Sequence, residues 1–198
     1  RIDGEDAQAA TPAGATVLVS HLGRPLAEVA RGMMKRSDNP MTRLLYLRMG
    51  ASVAQEGEPT LNAAARAVRS WFDSKGISTH GLVMDNGSGL SRSERISPQQ
   101  MADVLAVAHR GPHAPDLIAS LPLVGVDGTM ARRLKGTLAQ GRARLKSGTL
   151  RNVVAVAGYV SDQQNRTWVV VAMVNHDTAA AKARPVLDSV VEWVASQR

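Results

Sequence analysis

Two runs near the C-terminus constrain this chain more than anything else in it: "VVAVAGYVSD" (153–162) and "RTWVVVAMVN" (166–175), joined by "QQN". Both are rich in β-branched residues, and a connection this short between two such runs reads as an antiparallel hairpin. The segment that follows, "AAAKARPVLDSVVEWVAS" (179–196), has helical periodicity. It places Val186, Val190, Val191, Trp193 and Val194 on one apolar side, and Pro185 is expected to break off the first turn or two.

The region before the hairpin is helical in character. Residues 1–15 are polar and rich in Gly and Ala and read as a loop. "TVLVS" (16–20) has strand composition. Pro25 opens a helix in which Leu26, Val29, Met33 and Met34 share a side. That helix should end near "RSDNP", since Asn39 precedes Pro40 and is pushed out of the α region; "MTRLLYLRM" restarts it. "PTLNAAARAVRSWFDSKG" is a helix with Leu61, Ala64, Val68, Trp71 and Phe72 on its apolar face and Gly76 as its stop. Trp71 and Trp193 read as core anchors. Ser97, Pro98 and Gln100 carry the start signal of another helix, with a cap, a first-position proline and a third-position glutamine. "APDLIASLP" is one more short helix. Helices followed by an antiparallel sheet edge and a terminal helix make an α+β fold, helices packed on a sheet. One region is expected over residues 1–198: a loop at 1–15, a mainly helical subdomain at 25–120, and the strands and C-terminal helix at 121–198.

Composition closes off several chemistries. The chain has 198 residues, 44% of them hydrophobic and only 3% aromatic, so its core must be Ala, Val, Leu and Met. It has no cysteine, which excludes disulfides, thiolate metal sites and a cysteine nucleophile. No stretch reaches the ~20 apolar residues needed to span a bilayer. The net charge of +7 invites a nucleic-acid reading. Against it, the basic residues are scattered, with the densest group at Arg132, Arg133, Lys135, Arg142, Arg144 and Lys146, and there are few aromatic rings to stack bases on. His109 and His113 have a helical metal spacing, but Gly111 and Pro112 should break the helix between them, and no metal or other cofactor is expected.

Three polar motifs stand out: Ser37–Asp38–Asn39 at a helix end, Asp85 to Arg92 ("DNGSGLSR"), and Lys146–Ser147–Gly148–Thr149 ahead of the hairpin. Taken singly, each reads first as an ordinary turn or loop. Together, Ser-Asp-Asn followed much later by Lys-Ser-Gly matches two parts of the motif set of penicillin-binding proteins and β-lactamases. "RPLAEVARGMMKRSDNPMTRLLYLRMG", "DNGSGLSRSERISPQQMADVL", "LPLVGVDGT" and "RLKSGTLRNVVAVAGYV" resemble, in order from about Leu18 onward, segments of the DacB type of D-alanyl-D-alanine carboxypeptidase/endopeptidase, the class C penicillin-binding proteins of the bacterial periplasm.

The resemblance implies a partial DD-peptidase/β-lactamase-like fold. It implies an acyl-transfer site acting on peptidoglycan stem peptides and acylated by β-lactams. Ser37 is then the proton relay, Asn39 a hold on a substrate amide, and Asp38 a turn former. Lys146 lends positive potential beside Ser37. Ser147 and Thr149 bind the substrate carboxylate, Gly148 allows close approach, and the Thr149 N–H serves as an oxyanion donor. Ser88, Arg92, Asp127 and Arg151 are family-like positions with no assigned role. The family's nucleophile lies in Ser-x-x-Lys, and no serine here is followed three residues later by lysine. The resemblance therefore implies that this chain is the C-terminal part of such an enzyme, inactive alone. Its partners would be the N-terminal part of the same protein and, at an exposed sheet edge, a second copy. A serine β-lactamase-like hydrolase and a non-catalytic peptide-binding module with the same fold stand as alternatives.

Overall fold

A computed structural model describes residues 12–198, so most of the loop expected over 1–15 lies outside the described residues. Five helices come first: α1 (Leu26–Arg36), α2 (Asn39–Val53), α3 (Thr60–Ser74), α4 (Pro98–Arg110) and α5 (Ala114–Ser120). Three strands follow, β1 (Ala143–Leu150), β2 (Val153–Ser161) and β3 (Thr167–Asn175), and then the terminal helix α6 (Ala179–Ala195). The α+β fold read from the sequence is the fold of the chain.

The sheet is antiparallel in the order β1-β2-β3. The valine hairpin runs in register from Val153 opposite Asn175 to Ser161 opposite Thr167. Its turn is built around Asp162, which is fully buried. The Asp162 carboxylate accepts hydrogen bonds from the Gln164 and Arg166 backbone N–H groups, from Arg166 Nε and from Trp168 Nε1. Burial alone would raise its pKa. The Trp168 indole, the Arg166 guanidinium and the Arg166 N–H overcome that and bring it down to about 2. A folded pKa below the unfolded ~3.9 means stabilisation that is complete above that pH and is lost as the pH falls toward 2. Thermal melts of Asp162→Asn should therefore show a flatter loss of stability across this acid window than the unsubstituted protein. Parallel acid limbs would show that the carboxylate does not hold the turn.

Alternation along the strands gives the sheet two apolar faces. On one, Ala143, Leu145, Val154, Val156, Val160 and Val170 pack against α6. On the other, Ala157, Tyr159, Val169 and Val171 meet Leu105 of α4 and Met34 of α1, and the Tyr159 hydroxyl donates to the Leu105 carbonyl at 2.8 Å. A separate small core forms where Phe72, Ile77 and Leu82 meet Val104 and Val107. Near it, Ser97 and Gln100 form the reciprocal cap that their spacing announced.

Several expectations are corrected. "TVLVS" is not a strand: Val17, Leu18 and Val19 are exposed and pair with nothing among the described residues. Asn39 is not expelled from the α region but is the first residue of α2, Asp38 being its N-cap; the helices part instead at Ser37. Pro185 does not break α6, which runs through it. Pro185 and Ala181 both lie on the exposed side, where water can satisfy the carbonyl that loses its donor. The buried face of α6 is Ala183, Leu187, Val191 and Val194, a row of residues about one turn apart, while Val186, Val190 and Trp193 are exposed. Trp193 (64% exposed) and Trp71 (38%) are not core anchors.

Candidate active site

Ser37 sits between two helices. It ends α1 in the left-handed conformation (φ 54, ψ 53). The Asp38 N–H returns to the Met33 carbonyl at 2.9 Å, as at helix ends closed by a left-handed residue. Asp38 then starts α2, its carboxylate accepting from the Met41 N–H at 3.0 Å. This agrees with its reading as a turn former. Two helix termini fixed back to back leave the Ser37 side chain at the junction, facing the sheet.

Lys146 reaches it from β1. Even-numbered residues of β1 face the helical subdomain, because Ala143 and Leu145 are committed to the α6 core. Lys146 Nζ donates to Ser37 Oγ at 2.5 Å and to the Ser147 carbonyl at 2.8 Å. Burial pushes its pKa below the usual lysine value. The contact joins residues 109 positions apart. Since the ammonium can only donate, Ser37 Oγ accepts from it, which leaves the serine hydrogen free to point elsewhere.

The backbone of β1 presents a second feature. The Leu145 N–H bonds the Pro122 carbonyl, and the Val124 N–H bonds the Ala143 carbonyl, both at 2.9 Å. Odd-numbered residues thus turn their peptide groups away from β2, and the 122–124 segment covers that edge as far as Leu145. Ser147 and Thr149 continue the series past the cover, so their N–H groups face the uncovered edge. An added Cβ at Gly148 would meet no atom within 4 Å. The hydroxyls of Ser147 and Thr149 are not brought to Ser37. Ser147 Oγ instead lies 3.5 Å from Thr129 Oγ1, a neighbour that no motif pointed to.

Asn39 is close by, with Nδ2 donating to the Ser88 carbonyl at 2.6 Å. One of its donors thus anchors the Asp85–Arg92 loop beside the site, and its Oδ1 accepts no hydrogen bond among the described residues. Arg92 and Arg151 are exposed. Asp127 accepts from Lys35 Nζ at 2.7 and 2.6 Å and from the Leu123 N–H at 2.8 Å. The sequence pointed to Asp127 only as a family-like position without a role and to Lys35 not at all. Its one signal was a basic residue in the last turn of a helix, which says nothing of a partner.

An antiparallel sheet with a terminal helix on one face and a helical subdomain on the other, a serine and a lysine meeting across the seam, is the fold of the serine DD-peptidases. Penicillin-binding protein 4 (dacB) from Haemophilus influenzae, solved with a β-lactam, has the same fold: TM-score 0.79 and 24% identity, over 89% of this chain and 43% of that one. Residues 1–197 match the D-Ala-D-Ala carboxypeptidase 3 (S13) family, and the chain belongs to that family. It is 36% identical over 151 residues to the D-alanyl-D-alanine carboxypeptidase of Actinomadura sp. (strain R39), covering 74% of this chain and 28% of the relative. It is 28% identical over 172 residues to the D-alanyl-D-alanine carboxypeptidase DacB of H. influenzae, covering 83% of this chain and 34% of the relative. The chain thus spans about a third of the length of these relatives or less.

Proposed function

We propose that this chain supplies two walls of a serine-type D-alanyl-D-alanine peptidase site, the Ser37–Asn39 helix junction and the Lys146–Thr149 strand. The substrate is the D-Ala-D-Ala end of a peptidoglycan stem peptide, and β-lactams acylate the same site. The observation that carries the reading is the Lys146–Ser37 contact beside an uncovered strand edge.

The chemistry is acyl transfer. A serine in another part of the polypeptide attacks the carbonyl of the penultimate D-Ala. An ester forms, the C–N bond breaks, and the proton leaving the serine must reach the departing D-Ala amine. Ser37 can pass that proton, because its oxygen is held by Lys146 while its hydrogen is free. Lys146 also adds positive potential for the terminal carboxylate, with Ser147 and Thr149 beside it. Asn39 holds a substrate amide, and the Thr149 N–H points toward the developing oxyanion.

The family match and the short coverage of the relatives support a parent enzyme whose N-terminal part contributes the nucleophile. The outer edge of β3 has no partner strand among the described residues, and the remainder of the polypeptide, or a second copy, would pair there. A protein that works on peptidoglycan acts outside the cytoplasm, and the periplasm is the location this reading implies. Among the described residues no helix is long and apolar enough to cross a membrane.

Intact mass before and after benzylpenicillin tests the reading, on the complete polypeptide as its cell makes it and on this chain alone. We expect an adduct on the complete polypeptide, at a serine outside these residues, and none on this chain. An adduct on a serine of this chain would overturn the division of the site. An unmodified complete polypeptide would overturn the function.

A further inference from the structure

The segment from Leu121 to Met130 does more than cover an edge of the sheet. On one side it is laced to β1 through the Pro122–Leu145 and Val124–Ala143 backbone bonds, and the Gly141 N–H adds a bond to the Val124 carbonyl at 2.9 Å. On the other side it holds the last turn of α1. Lys35 Nζ donates to both Asp127 oxygens and, at 2.7 Å, to the Leu121 carbonyl. Asp127 is itself fixed by the Leu123 N–H. The backbones close up further at Gly128 (φ +56), where an added Cβ would lie 2.8 Å from the Lys35 carbonyl oxygen. The segment is therefore a bracket with one arm on the helix two residues before Ser37 and the other on the strand one residue before Lys146.

We propose that the Lys35–Asp127 pair is a positioning device that sets the Ser37–Lys146 contact by locking the end of α1 to the outer edge of β1. The proposal rests on the peptidase reading only for its kinetic consequence. Lys35 is largely shielded, at 16% side-chain exposure, and Asp127 half-shielded at 42%. The ammonium uses all three of its hydrogens within the bracket, two on Asp127 and one on Leu121. Burial alone would raise the Asp127 pKa, and the Leu123 N–H and the Lys35 ammonium turn it downward. The Asp127 carboxylate is thus held in its charged form at neutral pH. Neither residue touches the reacting atoms. What they control is the separation of two groups carried on different layers of the fold, and a displacement of about 1 Å at such a site can cost about 100-fold in rate.

The test uses the complete polypeptide with Asp127→Asn, Asp127→Glu and, as a second way of breaking the pair, Lys35→Met. The first readout is the NMR titration of the Lys146 side chain, assigned by its loss in Lys146→Arg. With the bracket released, Ser37 and β1 part, water reaches the ammonium, and the Lys146 midpoint rises toward the ordinary ~10.4 in Asp127→Asn and Lys35→Met. Asp127→Glu, which keeps the charge, restores the lower value. The second readout is acylation by benzylpenicillin, slowed about 10–100-fold in the two broken pairs and largely recovered in Asp127→Glu. A folded Asp127→Asn or Lys35→Met protein in which Lys146 titrates as before would overturn the proposal. If the unsubstituted protein takes no penicillin, the peptidase reading falls, and the Lys146 titration still decides whether the bracket sets the contact.

Discussion

Lys146→Ala is expected to slow acylation of the complete polypeptide by benzylpenicillin about 10³-fold, within the range usual for loss of a positioned proton-transfer partner. The ammonium fixes one lone pair of Ser37 Oγ. Without it the hydroxyl is free to rotate, and the fraction aimed at the leaving group falls. The same substitution removes a half-buried positive charge that bulk water cannot replace at that position. Lys146→Arg should not rescue the rate, since a guanidinium is planar, bulkier and unable to give up its proton. Because burial lowers the Lys146 pKa, the alkaline limb of the acylation profile should fall below the ordinary lysine range of ~10.4. An acylation rate for Lys146→Ala within about threefold of the unsubstituted protein, which is under 1 kcal/mol of barrier, would remove Lys146 from the mechanism.

Thr149→Pro is expected to cost about 10²–10³ in the same rate while leaving the melting temperature almost unchanged. Thr149 turns its N–H to the uncovered edge of β1, so the proline removes no bond of the β1–β2 ladder, and edge positions of this kind tolerate proline. Gly148, which precedes it, already has the extended backbone that a following proline favours. What is lost is the one N–H that, on the proposed reading, meets negative charge on the substrate oxygen. Thr149→Ala keeps that N–H and gives up only a hydroxyl, so it should lose about tenfold at most. The two variants together separate backbone from side chain. If Thr149→Pro folds and is acylated normally, the strand edge is not where the oxyanion is held.

Local structure was legible wherever a few neighbouring residues decide it. Ser97, Pro98 and Gln100 satisfy one another within a single helical turn, and the cap is visible in the order of the letters. The valine-rich runs likewise declare a hairpin, because two segments so dense in β-branched and aromatic residues beside a short connection favour paired strands. The face of α6 was less legible. Valine and tryptophan look like core, yet the helix buries Ala183 and Leu187 and leaves Val186 and Trp193 outside. Which side is buried is decided by how closely the sheet approaches. Pro185 misled for a different reason: its cost is local, and the packing of α6 on the sheet through Ala183, Leu187 and Val191 outweighs it. The Ser-Asp-Asn and Lys-Ser-Gly motifs could be recognised by their letters, but their meeting could not be read from them. Ser37 and Lys146 lie too far apart in the chain, and Lys35 and Asp127 carry no pattern that marks them as partners.

The left-handed backbone at Ser37 narrows what evolution can try there. Threonine carries the same hydroxyl, but a branched Cβ is strongly disfavoured at a positive φ of 54. Glycine and asparagine accept the angle and lack the hydroxyl. On the proposed reading the position answers to two unrelated demands, one from helix closure and one from proton transfer, and serine is the side chain that meets both. A drifting lineage could lose the chemistry here and keep the turn, through a single substitution to asparagine or glycine. If the proposed role of Ser37 holds, such descendants would still fold and would no longer be acylated at the normal rate.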